Sequence, residues 1–367
     1  IYPLLPGFVK GLGGTGLDVG LIDGLANAVA AVVRLPAGML SDTCGRRPLV
    51  LLGYGLSAIV RPLMGIVATP LAAVAVRTAD RFGKGIRSAP RDALVTDLVP
   101  PADRGRAFGH IRALDHAGAA VGPLAAMLFL LAFPGAERSL FLLTLLPGMV
   151  TLAVIARFVR DPGPRPATAR TDPRSPLSRP QAALLGCVAV WALGASSEQF
   201  LLLRVADLGL PRPWVPLVWF AISLAKSGAA ARAGRLADTV SPRLVLAAGW
   251  IVFAAAYGCL AWAASLPLVL VLVVVVGAAY GIAEPAERAL VAALSPAGRL
   301  GGGFGWYALV QGLMALPAGL LAGWLWDRGP TGPATAFLLT ATLAIVACGL
   351  LAATARRAAA PGLTGGE

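Results

Sequence analysis

The sequence predicts an all-α membrane protein of twelve transmembrane helices, arranged as two pseudo-symmetric bundles of six. Three observations carry that prediction. Hydrophobic residues make up 57% of the 367 and charged residues 13%, with mean hydropathy +0.76, which is outside the range of soluble globular chains. Apolar runs of about 20 residues, the length that crosses a bilayer, recur along the chain between short polar turns. Finally, the chain repeats itself at an offset of 196 residues. Gly38-Met-Leu-Ser-Asp42-Thr-Cys-Gly45-Arg46-Arg47 returns as Gly234-Arg-Leu-Ala-Asp238-Thr-Val-Ser-Pro-Arg243, and the same ungapped offset carries Gly85-Ile86 onto Gly281-Ile282 and Phe108-Gly109 onto Phe304-Gly305.

The spans follow in order. Residues 1–13 read as the end of span 1, so most of that helix is expected to lie outside the given sequence. Span 2 runs over 18–41, span 3 over 49–68 up to Thr69-Pro70, and span 4 over 71–99 up to Pro100-Pro101. Spans 5 and 6 cover 104–133 and 140–158. Residues 160–180 are rich in Pro and Arg, cannot form a membrane helix, and read as a linker. Spans 7 to 12 cover 181–206, 213–237, 243–264, 267–294, 300–326 and 333–355. The domains are thus a bundle over 1–159, the linker, a bundle over 181–356 and a tail over 357–367. The 44 glycines suit close helix packing in lipid.

A net charge of +13 raises nucleic acid as a partner, but the cations lie on no aromatic-interleaved face. They concentrate in alternate loops: Arg46, Arg47, Arg104, Arg106, the linker arginines, Arg243, Arg299, Arg356 and Arg357 lie on one side. Only Lys10, Arg138, Arg212 and Arg328 lie on the other. The positive-inside rule then places the linker and both termini in the cytoplasm. Cys44, Cys187, Cys259 and Cys348 have no metal-binding or redox spacing, and no phosphate-binding Walker sequence supports ATP coupling. His110 and His116 are six apart, so they do not share a helix face for a metal. No cofactor and no enzymatic activity are expected.

Two six-helix halves, a basic linker and a G-x-L-x-D-x-x-G-R-R loop after span 2 together resemble the major facilitator superfamily of secondary transporters. Arg81-Phe-Gly-Lys84-Gly85-Ile-Arg87-Ser-Ala89 is similar to the span 4 motif of that family, with Lys84 and Arg87 replacing its Gln and Gly. Gly109, Gly118 and Val121-Gly122-Pro123 resemble its span 5 antiporter motif, where Ala126-Met127 stand in place of a closing Gly-Gly. The string Phe82 to Leu94 resembles a bacterial subgroup of efflux permeases. The resemblance implies transport by alternating access between two rocking halves.

The motifs suggest chemistry on their own terms. Gly38 permits close helix approach, and Asp42 after it can face the positive N-terminal end of span 11 near Gly301 to Gly303. By the repeat, Asp238 should face the start of span 5 near Gly105. Arg46 and Arg47 are placed to pair with Asp42, Asp92 or Asp97, or with lipid phosphate. These residues, with Gly45, Arg243, Glu287 and Arg288, form an expected gate; Gly109, Gly118, Gly122 and Pro123 form an expected helix-packing set. Span 4 carries Arg77, Arg81, Lys84 and Arg91 on one face, and cations in hydrocarbon must face protein, water or an anionic ligand. Arg81, Lys84, Arg112, Glu198, Lys226 and Glu284 are the candidate substrate-cavity residues, with Glu198 lacking an evident partner. Asp115 and Asp23 are the candidate proton carriers.

The expected function is proton-coupled efflux of a small organic, anionic or amphipathic solute across the bacterial inner membrane by a monomer. The alternatives are an importer or uncoupled facilitator, or a receptor or scaffold that has lost transport.

Overall fold

In a computed structural model the protein is described over residues 5–13, 16–160, 177–195, 198–211, 214–296 and 298–359. Most of the expected linker and tail, and the side chains of Lys10, Asp23, Arg356 and Arg357, lie outside the described residues. Fourteen α-helices and no strand occur among them. In chain order they are α1 (Leu5–Gly11), α2 (Gly16–Cys44), α3 (Arg47–Val60), α4 (Pro70–Leu98), α5 (Arg104–Ala132), α6 (Glu137–Leu143) and α7 (Leu145–Phe158). The second half holds α8 (Arg179–Gly194), α9 (Gln199–Asp207), α10 (Val215–Thr239), α11 (Pro242–Trp262), α12 (Leu266–Leu294), α13 (Leu300–Trp326) and α14 (Gly332–Ala359).

Fourteen helices build twelve spans because two spans are broken. Span 6 divides at Thr144, whose hydroxyl donates to Phe141 O at 2.6 Å; Pro147, one turn on, has no N–H to continue the ladder. Span 7 divides into α8 and α9. Span 3 tightens into a 3-10 turn over Arg61–Gly65, where Pro62 sits. Helix starts are set locally. Thr69 Oγ1 accepts from Ala72 N at 3.2 Å, Ser241 Oγ accepts from Arg243 N at 3.2 Å, and Ser178 with Gln181 closes a capping box at the start of α8.

Among the described residues, seven helical stretches are apolar enough by composition to cross a membrane. Charged α4 is not among them, yet it packs against α2 and α3 and buries Asp80 and Asp92 within the protein. Large apolar side chains such as Leu71, Leu114, Leu146 and Trp262 are exposed, as a lipid-facing surface requires.

The halves meet through two antiparallel crossings, α5 on α10 and α2 on α13. Glycines let the backbones touch. A Cβ on Gly38 would collide with the carbonyl of Gly301, and one on Gly234 would lie 2.7 Å from Gly109 Cα. The helices then part: an added Cβ at Gly118, Gly122 or Gly319 would meet nothing within 4 Å. Gly109 therefore packs as expected of that motif, while Gly118 and Gly122 line a cavity instead, because α5 has diverged from α10 by that point. Pro123 lies within α5. The two halves are closed at the end bearing Asp42 and Asp238 and apart at the other.

Gly234→Val should force the closed end open. Overpacking of this kind costs about 1–3 kcal/mol, which moves a two-state ratio by about 5- to 150-fold. Spin labels at positions 43 and 239, in a chain with its cysteines replaced by Ser, should then show a second, longer distance. An unchanged distribution would mean that glycine contact does not control the approach.

Candidate functional site

Each latch is a carboxylate on the first amides of a helix in the other half. Gly301 N donates to Asp42 Oδ1 at 2.9 Å and Gly302 N to Asp42 Oδ2 at 2.8 Å. Gly105 N donates to Asp238 Oδ1 at 2.6 Å and Arg106 N to Asp238 Oδ2 at 2.7 Å. These amides are orphans of their own helices, and the helix dipole adds to the attraction. The flanking groups differ between the two sites. Arg46, buried beside Gly45 (φ 91), contacts Asp42 at 2.6 Å and Asp97 at 3.1 Å, and donates to Ser41 Oγ at 2.7 Å. It does not reach Asp92. Arg47 donates to the carbonyl of Ala156, and Arg243 sits in the first turn of α11.

Above the latches, residues pair with their own repeats. Arg288 Nε donates to Asp92 Oδ2 at 3.1 Å across 196 positions, and the rings of Phe108 and Phe304 lie 5.8 Å apart. Two residues related by the duplication can touch only near the pseudo-twofold axis, so Asp92 and Arg288 mark it. Both are buried there, deeper than the terminal gate position expected of them.

An ion network spreads from this pair over α4, α5 and α12. Asp92 also meets Arg112 at 3.3 Å and Arg91 at 3.4 Å. Glu284 meets Arg288 at 3.2 Å, Arg112 at 3.6 Å and His116 Nε2 at 2.8 Å. Asp115 is held by Arg112 at 3.0 Å and Arg91 at 3.5 Å. Three carboxylates thus share three guanidiniums, which is how charges are tolerated inside a membrane protein.

The network borders a cavity of about 590 Å3 that also exposes Arg34, Lys84, Arg87, Tyr307 and Gln311. Arg87 is engaged by Ser57 Oγ at 2.8 Å and lies 4.2 Å over the Tyr54 ring. Arg34 and Lys84 make no ion pair among the described residues, and Arg34 Nε is buried without a hydrogen-bond partner. The cavity is therefore lined by six basic side chains and three acids. Next to it, a smaller recess of about 180 Å3 is lined by Trp191, Tyr280 and Ala315, with Glu284, Glu287 and Gln311 shared or adjoining.

Several expectations shift. Glu198 is not alone: Lys226 donates to it and lies 4.8 Å over the Tyr280 ring. The pairing joins α10 to the segment before α9, a contact that helical spacing does not reveal. Arg81 lies apart from Lys84, in a second cavity with Arg61, Arg77 and Asp80. Glu287 lies between Tyr307, whose hydroxyl donates to Oε2 at 2.5 Å, and Gln311, which donates to the same oxygen at 3.2 Å. Sequence reading missed Arg34, although one cation within an apolar run was a usable signal. Among the described residues no cluster of His, Cys, Asp or Glu could hold a metal ion.

Asp42→Asn and Asp238→Asn should each loosen the closed end, since hydrogen bonds to a charged group contribute about 1.5–3 kcal/mol. The labels at 43 and 239 should separate in both variants and transport should slow. A wild-type distance distribution in Asp42→Asn would sink the latch.

Comparison with known proteins places these features in a wider group. The family profile described as Major Facilitator Superfamily matches residues 1–231 and 201–367. An uncharacterised MFS-type transporter of Methanocaldococcus jannaschii is 30% identical over 96% of this chain and 89% of its own length. The multidrug resistance protein MdtH of Aeromonas hydrophila is 28% identical over 82% of this chain and 77% of its own. Among solved structures, a human organic anion transporter (TETRAN) superposes with TM-score 0.79 at 18% identity, covering 94% of this chain and 87% of that one. An outward-facing bacterial homologue of the iron transporter ferroportin gives 0.76 at 16%, covering 96% and 94%.

Proposed function

This chain belongs to the Major Facilitator Superfamily of transporters, a multi-pass membrane fold without enzymatic activity, and we propose that it exports a small organic anion in exchange for protons. The observation that carries this reading is the unbalanced positive charge of the central cavity. Arg34 and Lys84 face it without a carboxylate partner, in a low-dielectric setting where an anion is the natural counter-charge. The adjoining Trp191–Tyr280–Ala315 recess suits the apolar part of an amphipathic anion. The relatives named multidrug resistance proteins favour export over uptake.

In this reading the protein works as a monomer in the bacterial inner membrane, with the linker, both termini and the latched end in the cytoplasm by the distribution of basic loop residues. The described conformation then faces outward. Substrate release on that side and capture from the cytoplasm alternate as the halves rock about the Asp92–Arg288 pair. An importer would use the same cavity with the opposite driving gradient.

Proteoliposomes loaded with naphthalenesulfonate, a permanent anion, test the reading. Efflux should accelerate when the outside is made acidic, and naphthalenesulfonamide, its neutral analogue, should move little. Lys84→Gln should weaken sulfonate binding by about 10- to 150-fold, the equivalent of one charge-assisted contact of about 1.5–3 kcal/mol, while leaving sulfonamide binding nearly unchanged. Equal losses for both probes, or a preference for organic cations, would overturn the anion assignment.

A further inference from the structure

Among the described residues, every acid lining the two central spaces makes an ion pair except one. Asp92 has three guanidiniums, Glu284 two and a histidine, and Asp115 two. Glu287 is fully buried and takes hydrogen bonds only from neutral groups, the Tyr307 hydroxyl and the Gln311 amide, both on one oxygen. Its other oxygen, Oε1, is buried with no hydrogen-bond partner among the described residues. Gln311 also donates to Tyr307 Oη at 2.9 Å, which leaves the tyrosine proton directed at the carboxyl.

We propose that Glu287 is a proton-binding carboxyl, neutral in this conformation, which exchanges its proton with water in the recess lined by Trp191 and Tyr280. A lone ionised carboxylate buried among neutral donors is among the costliest arrangements a protein can hold, and a protonated one is not. Asp115, by contrast, is 42% exposed at its side chain and bracketed by two arginines. The groups facing Glu287 are Tyr307 and Gln311 from α13 and Trp250 from α11, a further neutral group whose buried indole N–H interacts with the carboxyl. Glu284, Arg288 and Tyr280 approach from its own helix. The Glu198–Lys226 pair stands beyond Tyr280.

Release is a simple step: the carboxyl O–H breaks, the proton passes to a cavity water, and a carboxylate remains. That new anion competes with Asp92 for Arg288, the next residue on α12 and the one that bridges the halves at 3.1 Å. The proton on Glu287 is thereby tied to the grip between the halves. This inference rests on the proton-exchange reading above for its role in transport, but not for the existence of the site.

Infrared difference spectra of the full chain in lipid, titrated from acid to alkaline, test the site without a substrate. A protonated-carboxyl band should disappear on alkalinisation, be absent in Glu287→Gln and persist in Asp115→Asn. In Tyr307→Phe, which keeps the acid and removes its donor, the band should move to higher frequency, because a hydrogen bond to the carbonyl lowers its stretch. A band retained in Glu287→Gln, lost in Asp115→Asn, or unmoved in Tyr307→Phe overturns the assignment. Naphthalenesulfonate flux is read on the same preparations: a band that behaves as expected beside a flux indifferent to the pH gradient upholds the site and removes proton coupling from the function.

Discussion

A carboxylate accepting from two free backbone amides of the opposite half joins the two halves of this molecule, and the contact occurs twice. Asp42 and Asp238 each reach across to the first turn of a helix in the opposite half. The interaction needs an uncapped helix end and a backbone close enough to reach, which is why Gly38, Gly105, Gly234 and Gly301 surround it. The contact amounts to a few hydrogen bonds confined to the helix ends.

The membrane explains why so much charge lies behind the latches. In hydrocarbon each guanidinium needs compensation, so cations gather around the acids at the interface of the halves. The network over α4, α5 and α12 achieves local neutrality, three acids to three arginines, and so could rest without ligand. Arg34 and Lys84 lie outside that balance.

The fold was legible because its signals are long: twenty-residue apolar runs and a repeat in register survive any uncertainty about individual contacts. The contacts of Asp42 and Asp238 were legible too, since a helix N-terminus and an acid can be matched through the repeat alone. What stayed hidden depends on tertiary approach. Glu198 lacks a helical-spacing partner because Lys226 comes from another helix. Gly118 and Gly122 look like packing positions, but they meet nothing where α5 has left α10. Arg81 and Lys84 share a helix stripe, yet they open into separate cavities, since the stripe is longer than either space.

The repeat also shows where duplication had to be broken. A residue on the pseudo-twofold axis faces its own copy. An aromatic ring can pack on another ring, and position 108 keeps Phe in both halves, as Phe108 and Phe304. An acid cannot face an acid there without strong repulsion in low dielectric. The Arg91-Asp92 dipeptide of the first half is therefore matched by Glu287-Arg288 in the second, with signs exchanged, and the axial contact becomes a salt bridge. The exchange has a consequence one position away. Arg91 lies within the acid-rich network, while its counterpart Glu287 lies among neutral donors on the other side of the axis. Satisfying the axial pair thus leaves a cation within the acid network of one half and an acid among neutral donors in the other.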